Sequence, residues 1–129
     1  MQKVTSFEDL IAWQRARLLT AEVSKLIERP PLDRKWAYRD QLHRASVSVM
    51  SNIAEGFERG TRAEFAHFLA TSKASCGEVR SLLYAALDDE LIDTPTFRLV
   101  YEQTEEVSRI VGGLRASVIK QRDEDRRRK

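Results

Sequence analysis

The chain has 129 residues, 42% hydrophobic and 33% charged, with five Gly, three Pro and a single Cys. That is enough apolar material for one domain with a real core, and it excludes a disordered chain, an internal disulfide framework and a four-Cys metal site. The formal net charge is +2, but residues 120–129, "KQRDEDRRRK", hold six basic and three acidic groups, so the basic balance belongs to the C-terminus and the rest of the chain carries −1.

The first residues, "MQKVTSFEDL", lack the apolar stretch of a secretion signal, and no apolar run approaches the ~20 residues that span a bilayer. A cytoplasmic location with no membrane partner is expected. The first helix is placed over 7–28. Ala12, Ala16, Leu19, Val23 and Leu26 share one of its faces, while Arg15, Glu22, Lys25 and Arg29 share another. Ile11 and Leu18 fall on that polar side. "RPPLD" at 29–33 ends the helix, because proline cannot continue it. A second helix follows over 34–57, and "ERGT" at 58–61 closes it with a Gly stop. The third, over 62–88, opens on a capping box between Thr61 and Glu64, with Phe65, Phe68, Leu69, Ser72, Cys76, Val79, Leu83 and Ala86 facing inward. Asp93, Thr94 and Pro95 then read as an N-cap and a first-turn proline for a fourth helix over 95–121, whose apolar face is Val100, Val107, Ile110, Val111, Leu114 and Val118. Four long helices with short connections predict an all-α, single-domain, antiparallel up-down-up-down four-helix bundle over residues 1–119. Residues 120–129 are expected to form a charged, mobile tail.

The second helix is unusual. Leu42, Ala45, Ser46, Val49, Ile53 and Gly56 make its inward face, but Trp36, His43, Val47, Met50 and Ala54 make an adjoining face nearly as apolar. Together they cover about 200° of the helix, against the ~100° of an ordinary surface helix. Either loops or the C-terminal helix of the same chain cover the surplus, or another copy does. The second option makes Trp36, His43, Val47 and Met50, with Ile11 and Leu18, an oligomer interface. Beside the core, Gln41, Arg44, Ser48, Asn52 and Glu55 form a polar stripe, and Ser75 and Glu78 belong to a matching stripe on the third helix. The two stripes read either as a register-fixing hydrogen-bond ladder or as a groove for a ligand or nucleic acid. Mid-helix Gly77 is read as a place where two helices approach closely.

No catalytic, cofactor-binding or metal-binding residues are assigned. Glu64 with His67 and Asp40 with His43 have the spacing of half a di-metal motif, but the helical wheel turns both histidines outward. There is no Gly-x-Ser-x-Gly elbow, no phosphate-binding glycine loop and no zinc spacing. Cys76 lies on the inward stripe and is read as core.

"FEDLIAWQRA", "YRDQLHRASVSVMSNIAEGFERGTRAEFAHFL" and "SCGEVRSLLYAAL" resemble the four-helix-bundle proteins encoded within intervening sequences of bacterial 23S ribosomal RNA genes. These are related to the accessory variability determinant of diversity-generating retroelements. The resemblance spans about residues 7–118. Its most specific residues are Gln41, Arg44, Ala45, Ser48, Asn52, Ile53, Ala54, Glu55 and Gly56, joined by Ser75 and Glu78. Met50 and Ala74 depart from the common pattern. The resemblance implies a cytoplasmic, non-enzymatic homo-oligomer, a five-fold ring in relatives. In the retroelement branch it also implies nucleic acid and a reverse transcriptase as partners.

In an up-down bundle the second connection and the C-terminus share one end. That end collects Arg59, Arg62, Arg115, Lys120, Arg122, Arg126, Arg127, Arg128 and Lys129 as candidate contacts to RNA or DNA phosphates. No aromatic platform for single strands is visible in the sequence. A protein-interaction scaffold with an incidental basic tail is the alternative.

Overall fold

The computed structural model describes residues 3–128. It contains α1 (Ile11–Leu26), α2 (Trp36–Glu58), α3 (Arg62–Asp88) and α4 (Thr94–Arg128), with single 3-10 turns at Phe7–Asp9 and Leu32–Arg34. No strand occurs among the described residues. Each helix packs against its chain neighbours, and α1 against α4 closes the square. The α1–α2 and α3–α4 connections meet at one end, where Leu26, Arg29, Pro30, Leu87, Leu91 and Asp93 line a shared cleft. The N-terminal turn, the α2–α3 connection and the end of α4 occupy the other.

Periodicity accounts for the core. Leu19, Val23, Leu42, Val49, Ile53, Leu69, Val79, Leu83, Val107 and Val111 are fully enclosed, and each lies on the apolar stripe of its helix. On α3 the sequence places Phe68 inward. The structure buries Ala66 instead and leaves Phe68 half-covered, and the Arg115 Nε–H donates to the Ala66 carbonyl at 3.0 Å beside it.

The helix ends follow local chemistry. Thr61 caps α3, its hydroxyl accepting from the Glu64 N–H at 3.2 Å. The other half of the box is absent, since Glu64 turns its carboxylate toward Arg59 at 4.0 Å. Asp93 caps α4 by accepting from the Thr96 N–H at 2.8 Å, and the Thr96 hydroxyl together with that N–H lowers its carboxyl pKa. The Tyr38 hydroxyl, donating to Asp89, ties the start of α2 to the end of α3.

Beyond α3 the Glu90 N–H donates to the Leu87 carbonyl and the Leu91 N–H to the Ala86 carbonyl. This is the double bond pattern that usually carries glycine in a left-handed conformation. Here Glu90 occupies it, with φ of 59°. Glu90→Gly is therefore expected to stabilise the protein, by up to about 1 kcal/mol once the extra freedom of an unfolded glycine is subtracted. A urea midpoint shifted upward with unchanged slope would show it.

The largest departure lies at the C-terminus. The sequence ends the fourth helix near residue 121 and makes 120–129 a tail, but α4 continues without interruption to Arg128. Asp125 pairs with Arg62 at the start of α3, and Val118 is buried, so the charged segment is an extension of the helix. At 1.5 Å per residue α4 is about 52 Å long, some 12 Å longer than α3.

Candidate nucleic-acid interface

Two polar regions emerge. The first is the seam between α2 and α3. The Ser48 and Ser75 hydroxyls meet at 2.9 Å, and the Asn52 amide donates to both the Ser48 hydroxyl and the Ser48 carbonyl. Ser75 also contacts the Thr71 carbonyl at 3.2 Å. Deeper in, buried Ser72 donates to the Val49 carbonyl at 2.7 Å. These bonds fix the register of the two helices, as a ladder should. Gln41, Arg44 and Glu78 line a shallow cleft above Ser48. Arg44 pairs with Asp40 at 3.6 Å, and Glu55 leaves the ladder to pair with Arg59 at 3.1 Å. The polar stripe thus divides into an internally satisfied centre and an exposed rim.

The close approach of helices lies elsewhere than at Gly77. A Cβ on Gly77 would meet only the Arg80 guanidinium, at 3.7 Å, whereas a Cβ on Gly56 would stand 2.6 Å from the Phe68 Cβ. Gly56 is the contact point of α2 and α3.

The second region is the basic end. Arg59 lies over the Phe68 ring at 5.0 Å and pairs with Glu55 and Glu64. Arg62 pairs with Asp125, Arg122 with Asp123, and Arg115 is held to the Ala66 carbonyl. Three of the nine predicted contacts, Arg59, Arg62 and Arg122, are therefore partly neutralised by acids, and Arg115 is tied down by a carbonyl. Lys120, Arg126, Arg127 and Arg128 form no ion pair among the described residues, and Arg126 to Arg128 are exposed at the tip of α4. Lys129 lies outside the described residues.

The predicted oligomer interface separates into two patches. Trp36 is 75% exposed and His43 is exposed, whereas Val47 and Met50 are half-covered by their own bundle. Ile11 and Leu18, 57% and 55% exposed, flank Arg15, which pairs with Glu106 of α4 at 3.1 Å. α1 meets α2 on a different side, through Thr20 and the Ser46 carbonyl. Ile11 and Leu18 thus belong to the α1/α4 face, together with Leu99 of α4, 62% exposed.

One assembly escapes the sequence altogether. Tyr84 of α3 packs on Phe97 and Tyr101 of α4, with ring centroids 4.9 and 5.4 Å away, and Phe97 stacks on Tyr101 at 5.2 Å. Lys73, Arg80 and Tyr84 recur on one helical face, but nothing in that spacing fixes the packing offset at which Tyr84 meets α4.

Titratable chemistry is sparse. Burial pushes the Cys76 thiol up to about 11, which keeps it a protonated core residue. His43 and His67 are exposed, and no group of three metal-ligating side chains occurs among the described residues. No described helix is long and apolar enough to cross a membrane.

Residues 8–113 match the family described as 23S rRNA-intervening sequence protein. Residues 114–128, which include the α4 tip, lie beyond the matched stretch. The fold is similar to that of a protein of unknown function from the S23 ribosomal protein family of Bacteroides thetaiotaomicron. The TM-score is 0.74 over 81% of this chain and 97% of that one, at 15% identity. No curated protein matches the chain.

Proposed function

Because the chain belongs to the 23S rRNA-intervening sequence protein family, we propose that it works as a non-enzymatic assembly of four-helix bundles that holds RNA or DNA by charge, without reading its sequence. The observation that carries this is the end of α4, where Arg126, Arg127 and Arg128 stand exposed on the helix and form no ion pair among the described residues. A helix C-terminus already favours cations through its dipole, so the three arginines are well placed to meet phosphate. Their contacts would be to backbone only, and hence indifferent to base identity.

Assembly would multiply a weak contact. Several copies side by side present several arginine tips to one strand, and effective concentration then raises avidity without any new contact. The two apolar patches support a head-to-tail arrangement, in which the Trp36 patch of one copy meets the Ile11/Leu18/Leu99 patch of the next. Such heterologous contacts form a ring where the rotation between copies closes and an open filament where it does not, and a ring of five copies is what the resemblance implies.

The test is a salt titration of full-length protein on labelled duplex. Changing Arg126, Arg127 and Arg128 together to Ala is expected to flatten the dependence of log affinity on log salt by about 2 to 3, roughly 0.9 per lost phosphate contact. An unchanged slope would move the interface away from the α4 tip, and no binding at low salt would end the nucleic-acid reading. A protein-interaction scaffold is the second reading. It is favoured by the exposed aliphatics Ile11, Leu18 and Leu99 on the α1/α4 face, whose apolar area suits a protein partner rather than nucleic acid.

A further inference from the structure

The α3/α4 groove carries cations that no structural role consumes. Lys73 reaches across the groove from α3, its Nζ 3.3 Å from where a Cβ of Gly112 would stand. Arg80, two turns along, lies back on α3 beside Gly77, and its Nε is sealed from water with no acceptor. Neither side chain forms an ion pair among the described residues, although this chain pairs eight cation–anion couples elsewhere. The next exposed side chain in the same line is Tyr84, 50% exposed and braced from behind by Phe97 and Tyr101. Toward the other end the groove passes Arg115 and reaches Arg62 at the α4 extension. The nearest acid at the aromatic end, Glu105, adds to the field at Tyr84 but contacts neither cation.

We propose that this groove seats a single nucleic-acid strand, with backbone phosphates on Lys73 and Arg80 and one base stacked on Tyr84. The inference rests on the charge-based binding proposed above and adds a surface and a strand preference to it. The occupant follows from the chemistry present. Two unpaired cations ask for an anion of matching spacing. A half-exposed aromatic ring at the end of the line asks for a flat partner, and a flexible polyanion with unstacked bases has both. A duplex has only its phosphates to give, because its base faces are already stacked. From Arg62 to Tyr84 the groove runs about 33 Å along the helix, within the span of several nucleotides.

The experiment is fluorescence anisotropy at low salt on full-length protein. It uses labelled uridine RNA and thymidine DNA strands of about 15 nucleotides and a duplex of equal length. Tyr84→Ala is expected to weaken both strands by about fivefold or more and the duplex hardly at all. Both strands should respond, since neither contact reads the 2′-hydroxyl. Tyr84→Trp should restore strand binding, and Lys73→Ala with Arg80→Ala should weaken it and lower its salt slope. If the parent binds strands and these variants bind them equally well, the groove is the wrong surface while charge-based binding stands. If the parent binds neither strand nor duplex, both proposals fall. If light scattering shows that Tyr84→Ala changes the molecular mass, the groove faces another copy of the chain and the assignment is overturned.

Discussion

Replacing Gly56 by alanine is expected to destabilise the protein by about 1 to 2 kcal/mol, although helix propensity alone predicts a gain of about 1 kcal/mol. The new Cβ would stand 2.6 Å from the Phe68 Cβ and 3.1 Å from the Phe65 ring. The first of these is one bond from the backbone and has no rotamer to escape into, so α2 and α3 must separate. Separation loosens the packing around Ile53 and Leu69 and strains the 2.9 Å Ser48–Ser75 bond about two turns along. Gly77 and Gly113 supply the comparison. Gly77 offers a Cβ only the flexible Arg80 tip, and Gly113 offers it open space. Alanine at either position should therefore raise stability by up to about 1 kcal/mol. Urea denaturation of the three variants should give one sign at Gly56 and the opposite sign at the other two. A stabilised Gly56→Ala would mean that the helices do not touch there.

Gly56 and Gly77 also show where sequence reasoning stops. Both sit inside apolar helical patterns, and nothing in the string says which one lies under a neighbour. The helical wheel fixes the angle of a residue about its own axis but not the height at which the next helix crosses. For that reason the inward stripes of α1 and α4, the Ser48–Ser75 ladder and the topology were legible, since each follows from period and loop length. The exchange of Phe68 for Ala66 was not, nor the aromatic cluster of Tyr84, Phe97 and Tyr101, which joins residues from two helices. The end of α4 failed for another reason. "KQRDEDRRRK" reads as a solvated tail on charge density alone, but Asp125 reaches Arg62 of α3, and that long-range pair comes only with the fold. The polar side of α2 is visible in the sequence but its division is not: Ser48 and Asn52 bond within the seam, whereas Glu55 finds its partner in Arg59 along its own helix.

Leu18→Arg is expected to break the proposed assembly while leaving each bundle folded. Leu18 is 55% exposed, so an arginine there enters water in the isolated bundle at little cost. In an interface it removes roughly 1.5 kcal/mol or more of apolar burial and adds an unpaired charge. A combined loss of about 3 kcal/mol weakens each contact more than a hundredfold. Trp36→Arg should act in the same way on the other patch. Both are cleaner choices than Val47 or Met50, whose partial cover by their own bundle would confuse misfolding with dissociation. Light scattering should then report monomers for either variant, with circular dichroism unchanged. Mixing the two decides the geometry. In a head-to-tail contact the intact Trp36 patch of the Leu18→Arg chain can still meet the intact Leu18 patch of the Trp36→Arg chain, so the mixture forms dimers and stops there. In a self-complementary arrangement, where each patch meets its own kind, each variant keeps one working patch and is dimeric by itself, so monomers that turn into dimers only on mixing are the head-to-tail result. A monomeric parent chain would remove assembly from the proposed function and leave the α4 tip to bind phosphate one copy at a time, at correspondingly lower affinity.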